Sequence, residues 1–233
     1  MRPDMSWLDW LFTPQCPACA APSASLCEAC AGTLVELGPA CPACAEPTGD
    51  EARVCKRCRA SPLPLDQIVS PWRFGGQLAL AIRRLKFAQR GHVARDVAPL
   101  WAPLIAAVAI ANDAIVVPIP MHWRRRFSRG YDHAWLLAWH ACEEAQLARP
   151  RSLLRRVRAA PAQSTLTAAA RRANLTGAFA VRDRATVAGR AIVLVDDVVT
   201  TGATLAAAAH ALRDAGARAV IGVALARSTS APG

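Results

Sequence analysis

Two adjacent carboxylates and the hydroxyl-rich loop that follows them are the groups of this chain best suited to ligand chemistry. Asp196 and Asp197 come first, and the loop then supplies Thr200, Thr201, Gly202 and Thr204. Paired carboxylates suit two neighbouring hydroxyl groups or a divalent cation. Threonine hydroxyls beside the free N–H groups of a helix start suit a phosphate. A sugar phosphate with a vicinal diol fits both halves of this set.

The elements around these residues place them at an edge of a sheet. Ala191–Val195 is short, apolar and rich in branched residues, which predicts a strand buried on both faces. Leu205–Ala215 predicts a helix that ends at Gly216. Ligands of open α/β sheets bind at the carboxyl ends of the strands, where Asp196 and Asp197 are expected to lie. The structural alternative is that a threonine caps the helix and an aspartate satisfies a turn.

Cysteine spacing is the second strong signal. Eight of the nine cysteines form four Cys-x-x-Cys pairs in the first quarter of the chain, namely Cys16, Cys19, Cys27, Cys30, Cys41, Cys44, Cys55 and Cys58. Two such pairs supply the four thiolates of a tetrahedral Zn²⁺ site, which has no open position and is therefore structural. Pairing of neighbours gives two zinc sites, and an interleaved pairing is the alternative. A disulfide framework is the other interpretation, and it requires an oxidising compartment.

The ninth cysteine and the apolar stretches have simpler interpretations. Cys142 stands alone in a predicted helix and is expected to be a buried thiol. The apolar run within residues 1–12 is too short and too acidic for a signal peptide, and it predicts a short docking helix. Val97–Ala111 is apolar over about fifteen residues, fewer than the ~20 of a membrane span. We therefore expect a cytoplasmic protein without a membrane span.

Basic charge is concentrated after residue 60. The formal net charge is +11; residues 1–60 hold five basic and seven acidic residues, or −2, and residues 61–233 hold twenty-three and ten, or +13. The arginines crowd two segments, with Arg124, Arg125, Arg126 and Arg129 in one and Arg149, Arg151, Arg155, Arg156 and Arg158 in the other. Such clusters suit nucleic acid or a phosphate-rich ligand, whereas a GC-rich coding sequence is the compositional alternative.

The order of the predicted elements indicates an α/β fold. Residues 1–60 form a cysteine-rich module, 61–66 a linker, and 67–233 a second domain. Strands of that domain are predicted over Gln67–Phe74, Ala114–Ile119, Ala191–Val195 and Ala219–Leu225. Helices are predicted over Gly76–Ala88, Val93–Ala111, Ser128–Gln146 (with Trp135, Leu136 and Trp139 inward), Leu166–Asn174 and Leu205–Ala215, with a polar loop over Arg149–Ser164. Strands that alternate with helices form a parallel sheet.

Two resemblances give this pattern a family. Val193–Thr204 resembles the phosphoribosyl pyrophosphate (PRPP) loop of type I phosphoribosyltransferases. Nearly the whole chain is similar to the competence protein F (ComF) family, which combines a cysteine-rich zinc module with a phosphoribosyltransferase domain. Besides the cysteine pairs and the loop, the matching residues are Leu85–Phe87, Val117–Pro120, Arg129–Tyr131, Arg171–Leu175 and Gly177–Phe179.

The resemblance implies a role for each residue of the PRPP loop. Asp196 and Asp197 are expected to hold the ribose hydroxyls. The 5′-phosphate is expected to lie against Thr200, Thr201, Gly202, Ala203 and Thr204. Mg²⁺ would bridge the pyrophosphate. Lys86, Arg124 and Arg129 are candidate contacts to the pyrophosphate or to another anion.

One motif departs from the family pattern. Where the family has Arg-Gly-Phe-Asn-Gln, this chain has Arg129-Gly-Tyr-Asp-His133. Any contact that the two amides make with a ligand is therefore in doubt. Either His133 replaces part of that contact or the position is structural.

Two functions remain open from the sequence. The resemblance implies a bacterial competence protein that binds PRPP and handles single-stranded DNA during uptake or use of external DNA, alongside the DNA-uptake machinery. The alternative is an active PRPP-dependent phosphoribosyltransferase that acts on a nucleobase or another small acceptor. The two combine if PRPP regulates DNA binding. In the first function, aromatic side chains would stack on bases and arginines would contact phosphates.

Overall fold

The structure is a computed structural model that describes residues 14–87, 91–121, 130–157 and 177–229. Several sequence-based predictions concern residues outside these ranges. They are the docking helix within residues 1–12, the helix over Leu166–Asn174, and the arginines Arg124, Arg125, Arg126, Arg129 and Arg158. These remain predictions from the sequence.

A parallel sheet forms the centre of the larger part of the fold. The strands β1 (Gln67–Val69), β3 (Ala114–Pro118), β6 (Ala191–Val199) and β7 (Ala219–Arg227) lie in the order β1-β7-β6-β3, and β2 (Trp72–Arg73) also pairs with β7. All of these pairings are parallel. A separate antiparallel pair consists of β4 (Leu154–Arg156) and β5 (Phe179–Val181). The α/β fold with a parallel sheet, expected from the sequence, is confirmed.

Helices cover both faces of this sheet. The longer helices are α3 (Gly76–Phe87), α5 (Ala102–Asn112), α6 (His133–Glu144) and α8 (Ala203–Asp214). The shorter ones are α4 (Val93–Asp96), α7 (Arg184–Val187) and the 3₁₀ turn Ala98–Leu100. Two further short helices, α1 (Glu28–Ala31) and α2 (Lys56–Ala60), belong to the cysteine-rich region before the sheet. Successive strand residues face opposite sides. Val193 and Val195 pack with α3 to α6, whereas Ile192 and Leu194 pack with α8. This double coverage explains why Ala191–Val195 is apolar throughout.

Two predicted segments differ from the observed strands. The single strand expected over Gln67–Phe74 is two short strands, because Pro71 between them has no N–H to donate to a ladder. The loop expected over Arg149–Ser164 contains β4, so that prediction is wrong at Leu154–Arg156. Neither β5 nor α7 was predicted. The strand β4 has three residues, two of them arginines, and is too short for an alternating pattern to reveal it.

The start and the inner face of α6 also differ from the prediction. The helix begins at His133 rather than at Ser128, because the Asp132 carboxylate caps it by accepting the N–H groups of Ala134 and Trp135 at 3.1 and 3.3 Å. Trp135 and Trp139 are only half-buried, so the expectation that both tryptophans face inward is wrong. The small or branched residues Ala134, Leu137, Ala138, Ala141 and Cys142 form the buried face instead. Close packing against α4 and α5 leaves no room for indole rings there.

Cys142 and the apolar stretch before β3 behave as expected. Cys142 is 1% exposed, and burial raises the pKa of its thiol to about 11, so it is an inert core residue. Within the described ranges, no single helix is long and apolar enough to cross a membrane. The helices Val93–Leu100 and Ala102–Asn112 reach that length and hydropathy when taken together, but they are bent by 65° relative to each other. Ile105 of this pair is fully buried in the core.

The region before the sheet consists of two similar cysteine knuckles. The first knuckle is residues 15–31 and the second knuckle is residues 40–60. Each begins with an isolated antiparallel bridge, Gln15 to Pro22 in the first and Ala40 to Pro47 in the second. Each ends in a short helix, α1 or α2, that starts directly after a cysteine. The two Cys-x-x-Cys pairs of a knuckle are thereby brought face to face.

Candidate functional site

The two carboxylates lie where β6 extends past its neighbour β3. Pro118, the last residue of β3, pairs with Val195. On its other edge β6 continues beside β7 as far as Val199, so Asp196 and Asp197 lie within the strand and not after it. The sequence predicted a strand that ends at Val195. The pairing with β3 does end there, whereas the pairing with β7 continues to Val199. The gap beyond β3 opens the crevice in which ligands of α/β sheets bind.

Asp197 is buried and is held by two side chains from the helices that cover one face. Its Oδ2 lies 2.8 Å from Lys86 Nζ, near the end of α3, and 2.8 Å from His133 Nε2, at the start of α6. Burial by itself raises the pKa of this carboxyl. The hydrogen bond from His133 and the charge of Lys86 outweigh burial and hold the pKa of Asp197 well below its usual range. Asp197 is therefore an anion at neutral pH.

Asp196 shows the opposite balance. Burial, followed by the negative charge of Asp197, raises the pKa of Asp196 to about 7. Its Oδ1 accepts the backbone N–H of Asp197 at 2.9 Å. One carboxyl of the pair is therefore held ionised while the other titrates near neutral pH. A hydroxyl donor or a cation placed beside Asp196 would favour its ionised form.

The loop after the carboxylates makes a tight turn into α8. Gly202 is the residue before the helix and has a φ of 77°, a left-handed conformation that glycine adopts without strain. A Cβ at this position would also lie only 3.3 Å from Leu63 and from Ile68. The first N–H groups of α8 have no carbonyl partner within the helix. Glycine thus sets the direction in which these donors point.

Capping by threonine explains little of this loop. Gly202 occupies the N-cap of α8, and no side chain caps the helix there. The Thr201 hydroxyl lies 3.4 Å from the Ala203 amide, which is long for a hydrogen bond. Thr200 and Thr204 line the cavity beside the carboxylates instead. Together with the positive end of the helix dipole, these groups form a corner suited to a phosphate.

The carboxylates and the loop surround a cavity of about 400 Å³. Lys86, His133 and Arg156 also line it. In the sequence Arg156 was one member of an arginine cluster. The position of Arg156 in β4 brings it to this cavity. Ser228, which directly follows β7, adds a hydroxyl that had no signal in the sequence. The volume lies in the usual range for small-molecule sites.

The motif that departs from the family pattern divides into structural and site residues. The Tyr131 hydroxyl donates to the carbonyl of Leu85 in α3. Asp132 caps α6 and also accepts the Met121 N–H at 3.1 Å. Because Asn and Asp are equally good N-caps, the exchange at this position preserves a structural role. His133 instead contacts Asp197 directly and belongs to the site.

A second cavity, of about 480 Å³, adjoins the first. The two share Pro120, Met121 and Arg156 in their linings. Trp135 adds an aromatic surface, and Arg155 and Arg182 add two further guanidinium groups. An aromatic ring beside an anionic group would find suitable partners here. The half-buried position of Trp135, which the sequence did not predict, creates this surface.

The cysteine thiols form two groups, each made from neighbouring pairs. The groups are Cys16, Cys19, Cys27 and Cys30 in the first knuckle and Cys41, Cys44, Cys55 and Cys58 in the second. Within each group the sulfur atoms all lie within 4.8 Å of one another, and all nine cysteines are free thiols. The Sγ atoms of Cys19 and Cys27 are 3.6 Å apart, and those of Cys44 and Cys55 are 3.7 Å apart. Sulfurs around a tetrahedral zinc ion are about 3.8 Å apart, so both groups fit this metal.

Backbone amides favour a thiolate in each group. Burial disfavours the thiolate of Cys16, but the amides of Cys27 and Ala18 outweigh burial and lower its pKa to about 6. The same balance, with the amide of Cys55 foremost among the donors, lowers the pKa of Cys41 to about 7. Amide donors of this kind fix the orientation of thiolate ligands and stabilise their charge.

Family models match two parts of the chain. A double zinc ribbon domain covers residues 7–59, and a phosphoribosyl transferase domain covers residues 144–232. These matches agree with the two four-cysteine groups and with the parallel sheet that carries the paired carboxylates. The chain is thus a phosphoribosyltransferase-domain protein with a zinc ribbon region at its N-terminal side.

Curated relatives narrow this class. DNA utilization protein YhgH of Salmonella typhi is 33% identical over 216 residues, which are 88% of this chain and 93% of the relative. DNA utilization protein YhgH of Escherichia coli K12 is 34% identical over 178 residues, or 71% and 74% of the two chains. Competence protein F of Haemophilus influenzae is 30% identical over 173 residues, again 71% and 74%. The chain belongs to the ComF family of these proteins.

Proposed function

We propose that this protein binds PRPP, with Mg²⁺, in the cavity beside the paired carboxylates. The observation that carries the proposal is that the two carboxylates share one cavity of about 400 Å³ with Thr200 and Thr204, which lie on either side of the glycine before α8; Thr201, Gly202 and Ala203 do not line it. Asp196 and Asp197 accept hydrogen bonds from the ribose hydroxyls. The 5′-phosphate lies against Thr200, Thr201, Gly202, Ala203 and Thr204. Mg²⁺ enters with the pyrophosphate, because it prefers phosphate and carboxylate oxygens.

Cations beside this cavity hold the pyrophosphate. Lys86 has a quarter of its side chain exposed while it contacts Asp197, so its ammonium can also reach an anion in the cavity. Arg156 lines the same cavity. Arg124 and Arg129 remain proposed contacts from the sequence. Arginine suits this task because its guanidinium forms paired hydrogen bonds with phosphate oxygens.

The eight paired cysteines hold two structural Zn²⁺ ions. The support is the sulfur spacing in both groups and the amide donors that lower the pKa of Cys16 and Cys41. With four thiolates on each metal, no position is open for catalysis. The metals supply folding free energy to a region that has little apolar core of its own.

The function that PRPP binding serves is the handling of single-stranded DNA in the use of external DNA. The names of the relatives support this proposal, as does the charge of +13 carried by residues 61–233. On the described surface, the Arg149 guanidinium lies 4.7 Å from the ring centre of Trp139, whose centroid is 6.1 Å from that of Trp135. Arg151 is exposed nearby in sequence. Aromatic rings and arginines that reach the surface are the usual contacts to unpaired bases and phosphates, and both tryptophans are half-buried and so partly accessible.

Calorimetric titration with Mg-PRPP tests the binding site. We expect the zinc-loaded protein to bind, and the double variant Asp196→Asn and Asp197→Asn to lose binding. Asp214→Asn is the matched control, since it removes an exposed carboxylate at the far end of α8, about 15 Å away. The thermal transition of the double variant is expected to fall, because Asp197 is buried and pairs with Lys86 and His133, so the titration is made well below that transition. Binding that survives in the double variant would contradict the proposal.

Fluorescence anisotropy with a labelled oligothymidine tests the DNA function. We expect binding that weakens as salt rises, and that Arg149→Gln with Arg151→Gln reduces. Saturating Mg-PRPP is expected to change the affinity in the wild type but not in the double aspartate variant. Affinity that is indifferent both to the arginine changes and to Mg-PRPP would contradict this function.

The second cavity favours transferase activity as the alternative function. An acceptor ring on Trp135 would adjoin the site proposed for the ribose. In that reaction the bond from ribose C1 to pyrophosphate breaks and a bond from C1 to the acceptor forms. A screen of nucleobases for pyrophosphate release decides the matter: release above the blank supports it, and its absence for every acceptor opposes it.

A further inference from the structure

Arg227, the last residue of β7, is a buried cation next to residues 200–204, the proposed phosphate-binding loop, which we call the phosphate loop. It is 1% exposed and pairs in register with Val199, the last residue of β6 before the loop. Its guanidinium donates to the Thr200 carbonyl and to the Glu46 carboxylate. A buried guanidinium is costly unless it is paired, so these two contacts together fix its position. Through Arg227, the Thr200 carbonyl is connected to Glu46, which lies outside the sheet.

Glu46 belongs to the second knuckle, and its backbone is held by the cysteines there. Its carbonyl accepts the Cys41 N–H at 2.7 Å. The Cys44 N–H, two residues before Glu46, donates to the Cys41 carbonyl at 3.2 Å. Both cysteines are members of the second four-cysteine group. A metal in that group therefore fixes the backbone from which the Glu46 carboxylate reaches Arg227.

Apolar contacts join the same two regions at the other end of the loop. Leu63 packs against the second cysteine group and also lies 3.3 Å from the position of a Cβ on Gly202. Ile68 makes the same close approach to Gly202, and its N–H donates to the Pro42 carbonyl at 2.9 Å. The second knuckle thus supports the loop at Thr200 through Glu46 and Arg227, and at Gly202 indirectly through Leu63 and Ile68, which contact the knuckle.

We propose that the second knuckle holds the phosphate loop in its anion-binding conformation, with Glu46 and Arg227 as positioning residues. Neither residue lines the cavity, so both act only through the loop. Loss of the metal or of the Glu46 carboxylate releases the buried donor from the Thr200 carbonyl. Because coupling is reciprocal, an occupied loop strengthens metal retention in the second knuckle. This reciprocal effect rests on the proposed PRPP binding, whereas the effect on the loop does not.

Hydrogen–deuterium exchange of the zinc-loaded, ligand-free full chain tests the effect on the loop. We compare peptides spanning residues 196–206 in the wild type, in Glu46→Ala and in Glu51→Ala, an exposed acidic residue of the same knuckle. Glu46→Ala is expected to exchange about fivefold faster there, at unchanged zinc content, while Glu51→Ala matches the wild type. Glu46→Gln, whose amide oxygen still accepts from Arg227, restores slow exchange. Equal exchange in the two alanine variants would overturn the inference.

Titration with Mg-PRPP separates this inference from the proposed function. Absence of binding to the wild type contradicts the proposed function, and the exchange experiment then decides the inference alone. Where the wild type binds, Glu46→Ala is expected to raise Kd about tenfold and Glu51→Ala to leave it unchanged. In addition, Mg-PRPP is expected to slow zinc loss to a chelator from the second group and not from the first. Equal affinity of Glu46→Ala and the wild type would contradict the inference.

Discussion

The two cysteine knuckles share an internal geometry but differ in what they touch. In each, the N–H of the first cysteine donates to a carbonyl five residues later at 2.7 Å, from Cys16 to Ala21 and from Cys41 to Glu46. The residue at this equivalent position is the difference. Alanine in the first knuckle has no side chain long enough to reach beyond it, whereas glutamate in the second reaches the buried Arg227.

Their docking surfaces differ accordingly. The first knuckle packs beside α3, where Arg84 donates to the carbonyls of Cys16 and Pro17 at 3.4 and 3.2 Å. The second knuckle is connected to the phosphate loop through Glu46, which accepts from Arg227, and through Leu63, which packs between the second cysteine group and Gly202. Two units with the same internal hydrogen bond thus make different contacts, and the side chain at the position of Ala21 and Glu46 is one source of the difference. One unit stabilises a helix face, and the other supports a ligand loop.

Removal of one metal at a time is expected to have the largest effect. The variants Cys16→Ser with Cys19→Ser and Cys41→Ser with Cys44→Ser should each retain one zinc ion per chain, measured by elemental analysis. Loss of the second metal frees the Glu46 backbone and is expected to weaken Mg-PRPP binding at least about tenfold. Loss of the first metal is expected to change Kd less than about threefold. The comparison breaks down if both variants bind Mg-PRPP equally.

The pH dependence of stability is expected to report on Asp196, which lies in β6 beside the loop that the second knuckle supports. The pKa of Asp196 is about 7 in the folded protein, against 3.8 for an unperturbed aspartate of the unfolded chain, so the folded protein binds this proton more tightly. The contribution of Asp196 to stability therefore falls as pH rises from about 4 to 7. Between pH 6 and 8, urea unfolding should show the wild type losing about 1 kcal/mol relative to Asp196→Asn. Parallel curves for the two proteins would contradict the raised pKa.

The smallest effect on Mg-PRPP binding is expected from a change at Arg84, which joins α3 to the first knuckle. Arg84→Gln removes the donor to Cys16 and Pro17, and half-exposed contacts of this kind contribute about 1 kcal/mol or less. We expect zinc to leave the first group several times faster in the presence of a chelator, with Kd for Mg-PRPP unchanged. A weakening of Mg-PRPP binding as large as that from Glu46→Ala would show that both knuckles support the loop.

Local patterns in the sequence predicted much of the site. A buried strand, two carboxylates, a glycine and a helix start follow one another within Ala191–Asp214, so their joint position needs no long-range information. The Cys-x-x-Cys spacings are equally local, and the neighbouring pairs do form the two groups. Lys86 was a candidate because it is a rare lysine near a helix end, and it lies at the cavity.

Contacts between distant residues were beyond the sequence. Arg227 and Glu46 are 181 positions apart, and neither belongs to a motif that points to the other. The strand β4, which brings Arg156 to the cavity, has three residues and no readable alternation. The inward tryptophans were predicted from hydrophobicity alone, but alanines fill the buried face of α6, since volume as well as apolarity decides which side chains a packed interface accepts.

The most direct test of this account is a crystal structure of the zinc-loaded protein with Mg-PRPP. We expect the ribose hydroxyls within hydrogen-bond distance of Asp196 and Asp197, and the 5′-phosphate on the N–H groups at the start of α8. We also expect Glu46 and Arg227 to keep the Thr200 carbonyl in place beneath it. A ligand bound elsewhere, or a cavity that stays empty at saturating Mg-PRPP, would contradict the central claim.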